Sequence, residues 1–248
     1  MTTHKGKVAV VTGAARGIGQ AIAAGLAARG ASIVGVDIAE AVETCGLVKA
    51  SAAEWLGLVA DVSSPADVSR LAEETLSRFG KCDIVVNNAG IFPAYAFEDL
   101  SFDAWRHVIS TNLDSQFLVS QAFVPSMKER GWGRIVNMTS GSVQLSTERG
   151  AAYKASKMGA IGLTRGMAAD LGKYGITVNA ASPSLTRTPG VLSINGATNR
   201  LNTIAEAQAI KRVSEPTDIV GLVLFLTGED SHFVTGQTIL ADGGLSYF

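Results

Sequence analysis

Thr12-Gly13-Ala14-Ala15-Arg16-Gly17-Ile18-Gly19 stands where a short apolar run hands over to an alanine-rich one. Val8-Ala9-Val10-Val11, just before it, is apolar without alternation and β-branched at three positions, as a strand covered on both faces would be. Residues 20–29, just after it, read as a helix. Three glycines at the junction let the backbone turn tightly and approach a ligand closely. The turn also leaves free N–H groups and the positive helix end facing one point, which suits a pyrophosphate. Glycines kept for packing alone would give the same letters, but the flanking strand and helix favour dinucleotide binding by Gly13, Arg16, Gly17, Ile18 and Gly19.

Outward from this turn, apolar strands alternate with helical patterns along nearly the whole chain. Strands are expected at 8–11, 32–36, 57–60, 84–87, 134–138, 177–181 and 237–240, and helices at 20–29, 65–79, 101–128, 151–174 and 217–227. Such alternation implies right-handed crossovers and an α/β fold: one Rossmann-type, doubly wound parallel sheet of about seven strands with helices on both faces. No linker composition interrupts it, so residues 1–248 are read as a single domain. One stretch does not fit. Residues 190–209 mix Gly, Asn, Ser and Thr with scattered apolar residues directly after a strand end, where ligands of such sheets bind; a substrate lid is expected there.

Composition excludes several classes. With 47% hydrophobic and 17% charged residues, the chain of 248 is globular and large enough for a substantial core. A formal net charge of −1, without a basic block, argues against nucleic acid and against an anionic membrane surface as partners. Cys45 and Cys82 are isolated, and His4, His107 and His232 are scattered, so no disulfide framework and no metal site are expected. The opening Met1-Thr2-Thr3-His4-Lys5-Gly6-Lys7 lacks an apolar signal core, and the apolar run 219–226 is too short to cross a bilayer. These features predict a soluble, cytoplasmic protein.

Asp37 follows the second strand, eighteen residues past Gly19. A carboxylate there accepts hydrogen bonds from both ribose hydroxyls and repels a 2′-phosphate, favouring NAD over NADP. Arg16 pulls the other way, because a guanidinium pairs with a phosphate. Asp61-Val62, at the next strand end, can flank the adenine, although Asp61 also reads as an N-cap before Ser63-Ser64-Pro65. Asn87-Asn88-Ala89-Gly90 ends the fourth strand, where two amides satisfy buried backbone groups and Ala89 and Gly90 let a cofactor pass.

Tyr153 and Lys157 stand four apart on one helix face. A phenol with a pKa of about 10 is a poor base near neutrality, and a nearby ammonium lowers that value. Ser140, at the end of the fifth strand, supplies a hydroxyl for the substrate oxygen. Asn112 is a polar amide among Leu113, Phe117 and Leu118; a core asparagine satisfied by a carbonyl or a water is its other reading.

Together these motifs resemble the short-chain dehydrogenase/reductase family over essentially the whole length. The motifs are 12–19, Asp61-Val62, 87–90, Asn112, Ser140, Tyr153 with Lys157, and Thr235-Gly236-Gln237 followed by Asp242-Gly243-Gly244. The resemblance implies that Tyr153 is the acid/base and that Lys157 holds the nicotinamide ribose and lowers the phenol pKa. It also implies that Ser140 orients the substrate oxygen and that Asn112 holds a water extending the proton relay. Where the family has Pro-Gly after the sixth strand, this chain has Pro183-Ser184, while Thr186 and Thr188 fall where the family binds the carboxamide. Gly131-Trp132-Gly133-Arg134, Pro183-Ser184-Leu185 and other stretches look like a branch acting on aryl ketones of the 1-phenylethanol type.

The expected activity is NAD-dependent interconversion of a mainly apolar secondary alcohol and its ketone. Phe92, Tyr95, Ser142, Val143, Gln144, Leu185, Val191 and Leu192 are the expected pocket lining, with Ser140 at the reacting end. Lacking a cluster of Arg or Lys, this lining disfavours a polyanionic substrate. Rival readings are a 3-oxoacyl-thioester reductase, a pyridoxal or sugar alcohol dehydrogenase, and a catalytically silent dinucleotide sensor. Family likeness also suggests a homotetramer.

Overall fold

Val10 and Val11, neighbours in the chain, belong to two different apolar cores, one on each face of a parallel sheet. The run 8–11 is therefore apolar at every position. In the computed structural model residues 4–247 are described; Met1-Thr2-Thr3 of the opening stretch and Phe248 lie outside the described residues. The strands are β1 (Val8–Thr12), β2 (Ser32–Asp37), β3 (Trp55–Val59), β4 (Ile84–Asn87), β5 (Gly133–Met138), β6 (Ile176–Pro183) and β7 (Thr238–Ala241). They lie in the order β3-β2-β1-β4-β5-β6-β7, every pairing parallel. The expected seven-stranded Rossmann-type sheet is thus present among the described residues.

The helices are α1 (Gly17–Ala28), α2 (Val42–Ala50), α3 (Pro65–Phe79), α4 (Phe102–Ile109), α5 (Ser115–Arg130), α6 (Ala151–Leu171), α7 (Pro189–Leu192), α8 (Ala197–Ala207) and α9 (Pro216–Thr227). Ile22, Leu26, Val48, Ile219, Val223 and Leu226 seat α1, α2 and α9 on one face of the sheet. Leu71, Val119, Phe123, Met127 and Leu171 seat α3, α5 and α6 on the other. Full burial of such a side chain contributes roughly 1.5–3 kcal/mol. Val11 pairs in register with Gly35 on one side and Val86 on the other, so the strand order reverses between β1 and β4. The crevice beyond the carboxyl ends of those two strands is where such sheets bind ligands.

Four expectations need correction. Residues 42–50, given no element above, form α2, a short helix with only Thr44 and Val48 buried. The helix expected over 101–128 is interrupted by one π-helical turn, Ser110–Asp114, between α4 and α5. The third strand starts two residues earlier than expected, and β6 runs on to Pro183. Residues 190–209 are largely helical, because Thr188 caps α7, with Pro189 at its first turn, and α8 follows through Gly196.

Candidate active site

The glycine turn is held open by its own covalent requirements. Gly13 and Gly17 have φ values of +66° and +63°, in the left-handed region where a side chain is strained. A Cβ on Gly19 would overlap the Gly13 carbonyl oxygen. Beyond the turn, the N–H groups of Gly17, Ile18 and Gly19 have no partner among the described residues, and the first turn of α1 carries no acidic side chain. Arg16 occupies the N-cap position without a side-chain cap bond and is exposed. Free donors plus the positive end of a twelve-residue helix fit a pyrophosphate.

Two neighbours fix that turn against β4. The Thr12 hydroxyl accepts from the Asn88 and Ala89 N–H groups, each at 3.0 Å, and the Asn88 amide donates to the Thr12 and Gly13 carbonyls at 2.9 and 3.1 Å. Asn87 points the other way, donating to Asn137 Oδ1 at 2.8 Å and Ser120 Oγ at 2.9 Å beneath the sheet. Asp37 sits at the end of β2, where its Oδ2 accepts from the Ala15 N–H at 2.9 Å. Its carboxylate therefore stands beside the glycine turn, as a ribose-binding role requires. Asp61 is exposed and accepts from Ser63 N and Oγ at 2.9 and 2.7 Å; the helix cap beyond it is Ser64, not Asp61. Val62 is buried.

The reacting end is built from β5, the π turn and α6. Lys157 is 3% exposed, and its Nζ donates to the Met138 carbonyl at 2.9 Å and lies 5.8 Å from the Tyr153 ring centre. Gln116 Nε2 donates to the same carbonyl at 3.2 Å. Gly90 lies directly over this group, since a Cβ there would stand 3.2 Å from Asn112 Oδ1 and 3.4 Å from Lys157 Nζ. Asn112 is fully buried: its Oδ1 accepts from Ile91 N–H, and its Nδ2 donates to Ile91 O and Ser156 Oγ. Both amide hydrogens are thereby used, so its side chain pins the β4 loop to the π turn. The Ser140 hydroxyl donates to Ser142 Oγ at 2.9 Å and meets the Tyr153 phenol.

Burial pushes the Tyr153 phenol above its ordinary value, and hydrogen bonding with Ser140 pulls it partly back. Burial pushes the Lys157 ammonium down to about 8. Burial thus drives both groups toward their uncharged forms.

Residues 183–188 run from the end of β6 across the glycine turn. Pro183 is buried, and the Ser184 hydroxyl donates to Gln208 Oε1 at 3.1 Å. The Thr186 hydroxyl donates to Ser184 O and contacts Ser214 Oγ at 3.2 Å, while Arg187 N–H donates to Ser214 O at 2.8 Å. These bonds close a neck beneath α7 and α8, and Thr186 is committed to it. Thr188 does face the turn, with Cβ and Cγ2 3.3 Å from where a Gly17 Cβ would stand.

Phe92 meets Tyr153 edge-on, with ring centres 6.4 Å apart. Phe92, Leu185 and Val191 line a pocket with Ile194, Ala197 and Arg200. Leu192, expected in that lining, is 51% exposed and lies outside it, because it follows Val191 on a single helical turn. Tyr95 is 37% exposed and tied through its N–H to Arg149 O. Val143 is half-buried beside Ser142, and Gln144 lies against Ser246 of the C-terminal tail, whose N–H and hydroxyl reach Asp242. Sequence reading missed Ile194, Ala197, Arg200 and Gln208; for Ala197 and Arg200 the helical spacing with Leu201 was the available signal. Among the described residues no group of His, Cys, Asp and Glu could hold a metal ion, and no helix is long and apolar enough to cross a membrane.

The family described as "Enoyl-(Acyl carrier protein) reductase" matches residues 13–246. The (2S)-[(R)-hydroxy(phenyl)methyl]succinyl-CoA dehydrogenase subunit BbsD of Thauera aromatica is 38% identical over 244 residues, covering 98% of this chain and 97% of the relative. The 2-dehydro-3-deoxy-D-gluconate 5-dehydrogenase of Escherichia coli (strain K12) is 36% identical, covering 97% and 95% respectively. Among solved structures, levodione reductase superposes with a TM-score of 0.92 at 32% identity, covering 97% of each chain.

Proposed function

The chain belongs to the short-chain dehydrogenase/reductase family, whose members are oxidoreductases using nicotinamide dinucleotides, and on that premise we propose that it interconverts a mainly apolar, aryl-bearing secondary alcohol and its ketone with NAD. The observation that carries this reading is the juxtaposition of the Tyr153 phenol with the Ser140 hydroxyl, with buried Lys157 behind them and Phe92 as an aromatic wall in front. When bound, the nicotinamide supplies the hydride acceptor or donor. Gly13, Gly17, Ile18 and Gly19 hold the pyrophosphate, Asp37 the adenosine ribose, and Asp61 and Val62 flank the adenine. Asn88, Ala89, Gly90, Pro183, Ser184 and Thr188 form the floor and wall along the rest of the dinucleotide. Ser140 holds the substrate oxygen. In the oxidative direction Tyr153 takes the hydroxyl proton as the C–H bond yields its electron pair, so one proton is released per turnover.

The relative from Thauera aromatica bears in its name a hydroxyl on a phenyl-substituted carbon, which supports an aryl alcohol as substrate. The family description favours one rival, a reductase of acyl-carrier thioesters. Asp37 beside the glycine turn argues against it where that chemistry runs on NADPH. Following absorbance at 340 nm with racemic 1-phenylethanol, NAD and NADP side by side at alkaline pH, tests the reading. Turnover with NAD alone supports it. Preference for NADP and activity on a 3-oxoacyl thioester instead would transfer the assignment to the rival.

The same family premise suggests a homotetramer. Phe117 and Met158, 46% and 53% exposed on α5 and α6, and Phe225, 41% exposed on α9, supply apolar surface for its interfaces.

A further inference from the structure

Resting on the reading just given, we infer that the natural substrate carries one carboxylate at the end remote from its reacting carbon, and that Arg200 holds it. Five of the six residues lining the pocket beyond Phe92 are apolar: Phe92, Leu185, Val191, Ile194 and Ala197. Arg200 is the sixth and the only charged one. It stands three residues after Ala197 and one before Leu201, both buried, so it borders the inward stripe of α8 while its own side chain is exposed at the pocket rim.

The other basic side chains of this excursion are committed elsewhere. Arg187 pairs with Glu215 at 3.4 Å, Arg212 forks onto Asp218 through two bonds of 2.6 Å, and Lys211 donates to Glu206 O at 2.7 Å. Arg200 alone among them has no side-chain hydrogen bond or ion pair among the described residues. Glu206 is the only carboxylate between 187 and 213, six positions along α8 and so turned about a third of the way round the helix from Arg200. The guanidinium is therefore an uncompensated positive charge on the exposed rim of a small apolar pocket. Phe92 is shared by that pocket and by the Tyr153 site, so the pocket adjoins the reacting end. A substrate matching this layout is polar at the carbonyl, apolar in the middle and singly anionic at the tail. A fork of N–H donors suits a carboxylate better than an amide or an ester.

The test compares 4-oxo-4-phenylbutanoate with its amide, 4-oxo-4-phenylbutanamide, in reduction by NADH, with acetophenone as the neutral reference. The holoenzyme is expected to show kcat/KM at least about tenfold higher for the acid than for the amide, falling as salt is raised from 0.05 to about 0.5 M. In Arg200→Gln the acid-to-amide ratio is expected to collapse to about one, and in Arg200→Lys to recover in part. Because the readout is a ratio within one protein, a loss of folding lowers both rates and does not imitate the effect. A wild-type ratio near one, as a merely solvated arginine predicts, overturns the inference while acetophenone turnover leaves the parent reading standing. An Arg200→Gln ratio unchanged from wild type overturns it as well. Failure of all three ketones, with NADH binding intact, removes the parent reading and this inference with it.

Discussion

Burial drives both Tyr153 and Lys157 toward their uncharged forms, raising one pKa and lowering the other. In the free enzyme the phenol is therefore protonated throughout the neutral range. With NAD and alcohol both well below saturation the rate reports the free enzyme, so initial rates of alcohol oxidation are expected to rise steadily from pH 7 to beyond pH 9, and Ser140→Ala is expected to push that rise to higher pH. A plateau reached below pH 8 would show that the phenol is not so perturbed. Tyr153→Phe is expected to reduce turnover by at least about 10²-fold with an unchanged fold, measured at 340 nm and by circular dichroism. For Lys157 the sign runs differently. Its folded pKa, about 8, lies below the unfolded value, so the unfolded chain binds more protons between the two and stability rises with pH across that window. Below pH 8 the burial penalty is present in full. Lys157→Met is thus expected to raise Tm at pH 7 by about 4 °C, an advantage that fades by pH 10, while activity collapses. The Met138 carbonyl keeps Gln116 as a donor in that variant. A lower Tm at pH 7 would mean that the charge contributes stability rather than opposing it.

At the scale of elements, the β1–α1 turn and helix α2 give opposite answers to the same substitution. A Cβ on Gly19 meets an immovable backbone oxygen, so Gly19→Ala is expected to cost roughly 2–3 kcal/mol and to abolish NADH binding, read by urea unfolding and by fluorescence titration. Gly46, inside α2, has nothing within 4 Å, and Gly46→Ala is expected to stabilise by about 0.5–1 kcal/mol. The turn was legible in sequence because its constraint is local, one strand, one helix and three glycines between. Tyr153 and Lys157 were legible for the same reason, being one helical turn apart. Helix α2 was not, because two buried side chains in nine residues, with a glycine among them, make no amphipathic pattern. The π turn also escaped, since apolar periodicity continues across it and only the backbone records the extra residue. Nor was the neck readable: Ser184 meets Gln208 across 24 positions and Thr186 meets Ser214 across 28, pairings that leave no periodic trace.

For the whole molecule, the exposed aromatic and methionine side chains on α5, α6 and α9 set an expectation about mass. A homotetramer predicts a light-scattering mass four times the 25.7 kDa of one chain at micromolar concentration, and Phe117→Glu is expected to reduce it. A single-chain mass for the unaltered protein would remove the tetramer. The neck at Thr186, Ser184, Ser214 and Gln208 has a different implication. The stretch between Arg187 and Val213 is stapled at this neck and tied again where Ala209 and Ile210 donate to the Gly244 and Gly243 carbonyls after β7, while the glycine turn, Ser140, Tyr153 and Lys157 all belong to other segments. The excursion is a cassette: related chains sharing those four neck residues could exchange it whole, inheriting a donor's taste in substrates while retaining their own redox machinery.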